Sequence, residues 1–266
     1  MKIYNQDYKP LLKYDSNEEY RSYPHLSSSH LKDFSESPLL FYHNYFNPKK
    51  QTESMRKGTN IHTVILEPEK FSDFVVEPDF GDQRSLKNRE EKLSWHHSLS
   101  ANSTIVSQEE LDALLQIQKN VQKNPWSFFL EDTKKELSLY AKCRNTHLGI
   151  KARPDAFSDD VLIDVKSTER IKKNMEWIIS DNKYDLQLSF YDYVLDICGY
   201  KMNRYLILWV QSKPPYDVLF MEIPRETIDK NQILLKKYLE DFLVCLDNNK
   251  WPGMQGQELP MAFRKL

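Results

Sequence analysis

Residues 149–168 of this chain read GIKARPDAFSDDVLIDVKST, and this stretch decides the fold that the sequence predicts. Two runs rich in apolar and β-branched residues, 148–157 and 161–166, have the length and composition of strands. The polar turn Ser158-Asp159-Asp160 alone separates them. Because so short a connection joins antiparallel neighbours, the pattern predicts a β-hairpin.

Charged residues lie on both strands of the predicted hairpin. Asp164 and Lys166 are two residues apart, so they project from one face of the second strand while Val165 points into the core. Asp155 stands near the end of the first strand, and the short turn brings it alongside them. The sequence therefore predicts that two carboxylates and one ammonium converge. The alternative is an exposed hairpin held by ordinary ion pairs.

Two converging aspartates beside a lysine have a defined chemical use. Mg²⁺ prefers carboxylate oxygens and keeps several waters, so paired aspartates can hold one or two ions against a phosphate. The ion offsets charge in the transition state and acidifies water, while Lys166 would orient or deprotonate that water or stabilise the phosphate charge. The cluster predicts an enzyme that hydrolyses phosphodiesters with Mg²⁺, for which Mn²⁺ can substitute.

The remaining segments predict both helices and strands. Helices are predicted at two places within 23–46 and at 55–67, 107–124, 184–197 and 225–247. Further strands are predicted at 74–78, 135–143, 204–211 and 217–223. Residues 80–103 are polar and weakly periodic, which is typical of a mobile loop or an exposed helix. Ser107 with Glu110 predicts a capping box.

These elements predict an α/β fold with a central mixed β-sheet flanked by helices. A hydrophobic content of 40% over 266 residues suffices for a buried core. We expect one domain over residues 1–266. Within it, 1–54 would form an N-terminal helical part, 55–224 the core, and 225–266 a C-terminal helix and tail.

Composition argues against several classes of protein. Six glycines, none in a phosphate-binding loop motif, exclude a P-loop ATPase or a dinucleotide-binding fold, so we expect no nucleotide cofactor. The three cysteines are far apart and predict neither a disulfide framework nor a zinc or iron–sulfur site. No apolar stretch approaches the roughly 18 residues of a membrane span, so we expect a cytoplasmic protein without a membrane partner. The formal charge of −2 leaves nucleic-acid binding to local basic clusters.

Three further motifs accompany the hairpin: GxxxH at 58–62, Glu136 within KELSLY, and QxxxY at 187–191. The order GxxxH, Glu, GIKARPD, IDVKS, QxxxY resembles the RecB-type branch of the PD-(D/E)XK nucleases. The resemblance implies the restriction-endonuclease-like core of that superfamily and its deoxyribonuclease activity.

The same resemblance assigns roles to residues of the hairpin. It implies that the metal ligands are His62, Asp155 and Asp164, with the backbone carbonyl of Val165 as a further ligand. It makes Lys166 the catalytic lysine.

A narrower resemblance covers nearly the whole chain. The segments LSSSHLKDFSESP, GTNIHTVILEPEKF, GIKARPDAF and LIDVKST, the QLSFY helix, the KPPYDV turn and the final WPG are together similar to the RecE-type exodeoxyribonuclease VIII catalytic domain of phages and prophages. This implies processive 5′-to-3′ digestion of linear double-stranded DNA from its ends, leaving 3′ single strands for a RecT-like annealing partner in phage-type recombination. It also implies a homo-oligomeric ring, encoded by a phage or prophage and acting in the bacterial host cell.

Two features depart from the family pattern. Asp164 stands where the superfamily more often has Glu, which shortens the reach to an ion by one methylene. The cysteines that hold an iron–sulfur cluster in AddB and in CRISPR-associated relatives are absent, which favours the RecE-like interpretation and predicts no such cluster.

Three other residues are candidates for the catalytic site. Glu136 is a candidate second-metal ligand or outer acceptor, although it could instead pair with a nearby lysine across the sheet. Gln187 and Tyr191 lie one helical turn apart on one face. We expect them to line the DNA strand or to brace Lys166, and the alternative is ordinary packing.

Candidate DNA contacts come from three segments. Cations and aromatic rings suit phosphates and bases, and a serine hydroxyl could donate to a terminal 5′ phosphate, although a helix cap, a solvated loop or cross-strand ion pairs would explain the same residues. The candidates are Ser28, Arg84, Lys87, Lys92, Trp95, Lys151 and Arg153.

Two other functions remain compatible with these motifs. One is a RecB-like nuclease that acts on single strands or flaps, which the motifs do not separate from a duplex exonuclease. The other is a module with a nuclease fold that binds DNA without cleaving it. The complete motif set argues against the second, because a binding module has little use for Lys166 beside two convergent carboxylates.

Overall fold

The part of the chain that a computed structural model describes, residues 8–48 and 50–254, contains both strands and helices. The strands are Leu11–Lys13 (β1), Phe74–Val76 (β2), Thr104–Val106 (β3), Lys134–Lys135 (β4), Ser138–Lys142 (β5), Gly149–Ala152 (β6), Ala156–Phe157 (β7), Val161–Thr168 (β8), Arg204–Gln211 (β9) and Val218–Ile223 (β10). The α-helices are Asn17–Ser22 (α1), Ser28–Glu36 (α2), Pro38–Phe46 (α3), Glu53–Leu66 (α4), Leu86–Ser98 (α5), Gln108–Lys123 (α6), Met175–Asp181 (α7), Tyr184–Ile197 (α8) and Arg225–Asn248 (α9). Short 3-10 helices occupy Pro68–Asp73 and Ser127–Leu130.

The central sheet is mixed, as the sequence predicts. Its strands lie in the order β10-β9-β8-β7-β4, with β8 and β9 parallel and the other neighbouring pairs antiparallel. A separate antiparallel sheet has the order β1-β5-β6, and β2 pairs with β3 in parallel. Helices pack on both faces of the central sheet, so the predicted α/β class is confirmed.

Alternate residues of β8 enter two different cores. Ile163 and Val165 pack with apolar side chains of α4 and α6, whereas Leu162 packs with those of α2, α8 and α9. Because side chains alternate along a strand, Asp164 and Lys166 project toward the α2 and α8 face. Asp164 is fully buried there. The hairpin is therefore not the exposed one of the alternative interpretation.

A bend shared by two neighbouring strands shapes the site. The sequence predicts single strands over 135–143 and 148–157, but both are split, since β4 and β7 pair in the central sheet while β5 and β6 pair in the second one. Glu136 stands at the first break with a φ of 52°, and its N–H donates to the carbonyl of Asp155 at the second break, at 3.1 Å. Pro154, which has no N–H to give to a ladder, precedes Asp155. Both acidic side chains therefore start where the two sheets separate.

Several local expectations are refined. Residues 80–103 were predicted to be a mobile loop or an exposed helix, and they contain the exposed helix α5. The Ser107 side chain accepts from the backbone N–H of Glu110 at 3.1 Å, but the Glu110 carboxylate accepts from Arg56 and Asn60 instead of closing the capping box. The short elements β1 and α7 were not predicted, because three to seven residues show little periodicity.

The predicted division into 1–54, 55–224 and 225–266 stays a prediction, and residues 1–7 and 255–266 of it lie outside the described residues. Within the described ranges, no helix combines the length and apolar content that crossing a membrane requires.

Candidate active site

Three potential metal ligands meet at the bend between the sheets. One ligand atom each from His62, Glu136 and Asp155 lies within 4.8 Å of the others. His62 lies on α4, the helix that contains the GxxxH motif. Glu136 and Asp155 lie at the two paired strand breaks. Nδ1 of His62 is 3.6 Å from Oδ1 of Asp155. An imidazole and two carboxylates thus face one another in a half-buried position.

The other oxygen of Asp155 is held by the hairpin itself. Oδ2 accepts a hydrogen bond from the backbone N–H of Val165 at 2.6 Å. The N–H and C=O of a strand residue point to the same edge, so the carbonyl of Val165 is also directed to the side of β8 on which Asp155 lies. The strand β7 ends its pairing at Ile163, which leaves this edge of β8 open.

Asp164 and Lys166 form a second group on the neighbouring face. Nζ of Lys166 is 2.6 Å from Oδ2 of Asp164, and Nε2 of Gln187 donates to Oδ1 of Asp164 at 3.1 Å. Both carboxylate oxygens of Asp164 are therefore engaged by side chains. The compact ligand set consists of His62, Asp155 and Glu136 and does not include Asp164. A ligand role for Asp164 therefore stays a prediction.

The helix α8 supplies a chain of hydrogen bonds to this group. Nε2 of Gln187 lies 2.8 Å from the Tyr191 hydroxyl as well as facing Asp164, so the QxxxY pair points into the site. Oε1 of Gln187 accepts from Nζ of Lys32 at 2.6 Å. The ring of Tyr184 lies 4.6 Å from Nζ of Lys32.

Lys32 and Tyr184 were missed in the sequence. The ring of Tyr184 also lies 4.9 Å from Nζ of Lys166, so one aromatic ring faces both ammonium groups. A signal for Lys32 was available, because it lies four residues after the candidate Ser28 and therefore on the same helical face. Its approach to Gln187 depends on how α2 packs on α8, which no local pattern encodes.

Charge and burial set the protonation of the cluster. Burial, followed by the charge of Asp155, raises the pKa of Glu136 to about 7. Burial disfavours the charged forms of Asp155 and His62, but their mutual attraction prevails, so the pKa of Asp155 is lowered and the pKa of His62 is raised. Glu136 is therefore the carboxyl of this group that titrates near neutral pH.

The second group is charged in a different way. Burial raises the pKa of Asp164. Burial also disfavours the charged form of Lys166, but the carboxylates of Asp164 and Asp155 outweigh it and raise the pKa of this lysine. Lys166 is therefore an ammonium at neutral pH, which makes it a hydrogen-bond donor and not a base in this state.

The expected lysine partners of Glu136 are replaced by Arg153. Nε of Arg153 is 2.9 Å from Oε2 of Glu136, and its guanidinium also donates to Asn17 and to the backbone carbonyl of Asp15. Arg153 thus anchors Glu136 and the segment before α1. These contacts occupy its guanidinium, and the role of Arg153 in a phosphate track stays a prediction.

Lys151 is buried among backbone carbonyls, and its assignment as a DNA contact stays a prediction. Only 3% of Lys151 is exposed, and its ammonium donates to the backbone carbonyls of Tyr20, Arg21 and Tyr23. Burial lowers its pKa to about 8. Lys151 therefore satisfies carbonyls at the end of α1, which a helix leaves without partners. The sequence could not reveal this, because α1 is remote along the chain.

The remaining DNA candidates lie away from these contacts. Ser28 is buried, follows the Ser27 cap of α2 and lies beside Tyr191. Lys92 pairs with Glu77, Lys87 lies 3.8 Å from Glu91, Arg84 is exposed, and the ring of Trp95 contacts Phe80 and His96. Their roles toward DNA stay predictions.

A cavity of about 980 Å³ gives access to the ligand group. His62, Glu136 and Arg153 line it, together with the segment before α1. A second cavity, of about 1110 Å³, lies between α8 and α9 and includes none of the predicted site residues in its lining.

Comparisons with known proteins bear on the family and the fold of the chain. Residues 27–258 match a family described as "PDDEXK-like domain of unknown function (DUF3799)". A solved structure from Eubacterium rectale, named "Putative exonuclease", has a TM-score of 0.60 at 11% identity, over 99% of this chain and 97% of its own. A "phage related exonuclease" from Haemophilus somnus 129PT has a TM-score of 0.31 at 14% identity, over 84% of this chain and 96% of its own. No curated protein sequence matches the chain significantly.

Proposed function

We propose a function for this chain, which belongs to the PDDEXK-like domain family. It is a deoxyribonuclease that uses a divalent cation. It digests linear double-stranded DNA from its ends, in the 5′-to-3′ direction. The observation that carries the proposal is the meeting of His62, Glu136 and Asp155 at the open edge of the strand that bears Asp164 and Lys166. Two carboxylates and an imidazole at the edge of a strand, with an ammonium on the adjacent face of the same strand, are suited to hydrolysis of a phosphodiester.

The donor set fits a divalent cation. Carboxylate and carbonyl oxygens suit Mg²⁺ and Mn²⁺, and His62 adds one nitrogen ligand to these oxygens. Glu136 and Asp155 repel each other at the bend. After burial, the charge of Asp155 is the next largest cause of the raised pKa of Glu136. A cation held by these two residues and His62, with the carbonyl of Val165 nearby, would relieve that repulsion. When bound, it would neutralise phosphate charge and acidify water.

The side chains of the chain itself have separate tasks in this proposal. Lys166 remains an ammonium because Asp164 is beside it, so it donates hydrogen bonds to phosphate oxygens as negative charge develops. Asp164 holds Lys166 in place, and Gln187 holds Asp164. Arg153 keeps Glu136 directed to the bend.

The finer parts of the proposal are supported by resemblance. The similarity to RecE-type catalytic domains favours duplex ends as substrate and 3′ single strands as product, and the Eubacterium rectale structure is named as an exonuclease. A RecT-like partner, a homo-oligomeric ring and a phage or prophage origin in a bacterial cytoplasm belong to the same proposal.

Digestion of linear and covalently closed circular duplex DNA of one sequence tests the function. With Mg²⁺ we expect linear DNA to disappear and circles to survive, with label at the 5′ end released first. The Lys166→Met variant is the matched control for contaminating nuclease. Cleavage of circles would identify an endonuclease, and faster cleavage of flaps or single strands would favour the RecB-like alternative. If the protein bound DNA but hydrolysed none with any metal tested, the alternative of a DNA-binding module without nuclease activity would be supported.

Metal affinity is expected to rise with pH, which Mn²⁺ titration calorimetry at pH 6, 7 and 8 can measure. The pKa of Glu136 lies near 7, above its usual value, so below pH 7 a cation must displace a proton from this carboxyl. The raised pKa of His62 acts in the same direction. Below the pKa of the group concerned, metal affinity should fall about tenfold for each unit by which the pH is lowered and for each proton that the cation displaces.

The variant Glu136→Gln separates these protons. It should bind Mn²⁺ more weakly at pH 8 and depend less on pH, because the amide takes no proton while His62 still does. An unchanged pH dependence in this variant would place Glu136 outside the metal site.

A further inference from the structure

Lys32 on α2 reaches the candidate site, although α2 lies outside the predicted motifs for metal and catalysis. We propose that Lys32 is a positioning residue that sets the orientation of the Gln187 side-chain amide and, through it, the Asp164 and Lys166 pair. This inference rests on the proposed nuclease function only for its kinetic consequence. Its structural part concerns hydrogen bonds alone.

The chemistry of the contacts determines which way the amide points. A lysine ammonium has three donors and no acceptor, so the Gln187 atom 2.6 Å from Nζ of Lys32 is the carbonyl oxygen. The amide nitrogen then faces Oδ1 of Asp164 at 3.1 Å and the hydroxyl of Tyr191 at 2.8 Å. A flipped amide would place its oxygen against the carboxylate and its NH₂ against the ammonium. Lys32 and Asp164 therefore select the same orientation of the Gln187 amide, and Lys32 holds it from the side of the carbonyl oxygen.

The selected orientation matters because Asp164 is fully buried. A buried carboxylate needs polar partners to remain charged, and Asp164 has a hydrogen bond from Gln187 on one oxygen and an ion pair with Lys166 on the other. If Gln187 turned its oxygen toward Asp164, Lys166 alone would have to satisfy this carboxylate. Lys166 would then be drawn away from the phosphate or Asp164 would take up a proton. Correct placement of Lys166 therefore depends on the Gln187 amide.

A second lysine also joins α2 to α8. Lys183, at the start of α8, already donates to Oγ of Ser35 and to the carboxylate of Glu36, at the end of α2. Lys32 instead places a second ammonium over the Tyr184 ring that Lys166 also faces, where the two cations repel each other. A neutral donor would satisfy Gln187 without that repulsion. The pair Lys32 and Lys183 thus offers a test variant and a matched control on one helix interface.

Steady-state kinetics on linear duplex DNA, with a double-mutant cycle, tests the kinetic part. We expect Lys32→Met to lower kcat about 10- to 100-fold, the range for partners that orient the groups of a site, with KM changed less than about twofold. Lys32→Met combined with Gln187→Ala should be no slower than Gln187→Ala alone, since both act through one amide. Lys32→Arg should recover much of the activity, and Lys183→Met should retain it.

The orientation itself is measured without activity. In protein with ¹⁵N-labelled glutamine, the Gln187 side-chain amide signal is identified by its loss in Gln187→Ala. We expect this signal to shift and its exchange with water to accelerate in Lys32→Met, and to stay unchanged in Lys183→Met, with melting curves showing that each variant is folded.

Each contrary result has a distinct meaning. Additive losses in the double mutant, with a raised KM, would show that Lys32 contacts DNA directly and would overturn the proposal. Equal losses in Lys32→Met and Lys183→Met would show a packing role only. If the protein without substitutions were inactive, the proposed function would be overturned. The Gln187 amide signal would still test whether Lys32 orients this side chain.

Discussion

Replacing Lys166 by methionine is expected to lower kcat on linear duplex DNA roughly 10²- to 10⁴-fold, the range for loss of a group that assists proton or charge transfer. The ammonium of Lys166 lies 2.6 Å from Oδ2 of Asp164, on the strand whose open edge faces the group of His62, Glu136 and Asp155. Methionine keeps the length and apolar packing of the side chain and removes the donor. The loss should therefore appear in kcat, measured under saturating DNA, with little change in KM.

Folding of this variant needs its own control. Removing Lys166 leaves Asp164 buried without its cation, and breaking a buried pair costs about 3–5 kcal/mol. Asp164→Asn combined with Lys166→Met removes both charges, so it should recover thermal stability and remain inactive. Lys236→Met, an exposed lysine on α9, should change neither. Full activity of a folded Lys166→Met variant would remove this lysine from the mechanism.

Asp155→Asn is expected to have the second large effect, on metal binding. Asp155 faces both His62 and Glu136, and asparagine keeps the shape of this side chain while it removes the charge and one acceptor oxygen. Loss of partners outside the ligand shell lowers metal affinity about 10- to 100-fold, so loss of a ligand charge should cost at least as much. Mn²⁺ titration calorimetry measures the affinity, and kcat should fall with it.

The same variant has a readout that needs no metal. The Asp155 charge raises the pKa of His62 and contributes to the raised pKa of Glu136, so both pKa values should fall in Asp155→Asn. A histidine NMR titration follows His62 directly. Asp159→Asn, in the exposed turn of the same hairpin, should leave affinity and both pKa values unchanged. If Asp164→Asn abolished Mn²⁺ binding and Asp155→Asn did not, the cation would belong beside Asp164 instead.

Much of the fold followed from local patterns. The mixed sheet, the hairpin and the long helices were predictable because apolar periodicity differs between strands and helices over eight or more residues. The breaks in 135–143 and 148–157 were not predictable, because each becomes a break only when the neighbouring strand bends with it. Short elements such as β1 carry too few residues to show a period.

The sequence by itself determined which residues share a face. Asp164 and Lys166 had to project together because a strand repeats every two residues, and Gln187 and Tyr191 had to align because a helix turn brings positions four apart together. His62 was placed on a helix for the same local reason. Backbone geometry is repeated within an element, so these relations need no knowledge of the rest of the chain.

The tertiary structure alone decided which of these faces meet. It brought Glu136 to Asp155 and His62 through a left-handed residue at a shared bend, and it brought Lys32 to Gln187 across a helix interface. It also buried Lys151 under the end of α1, where its charge serves backbone carbonyls. Contacts between elements depend on how remote segments pack, and this packing is a property of the whole core that no single segment contains.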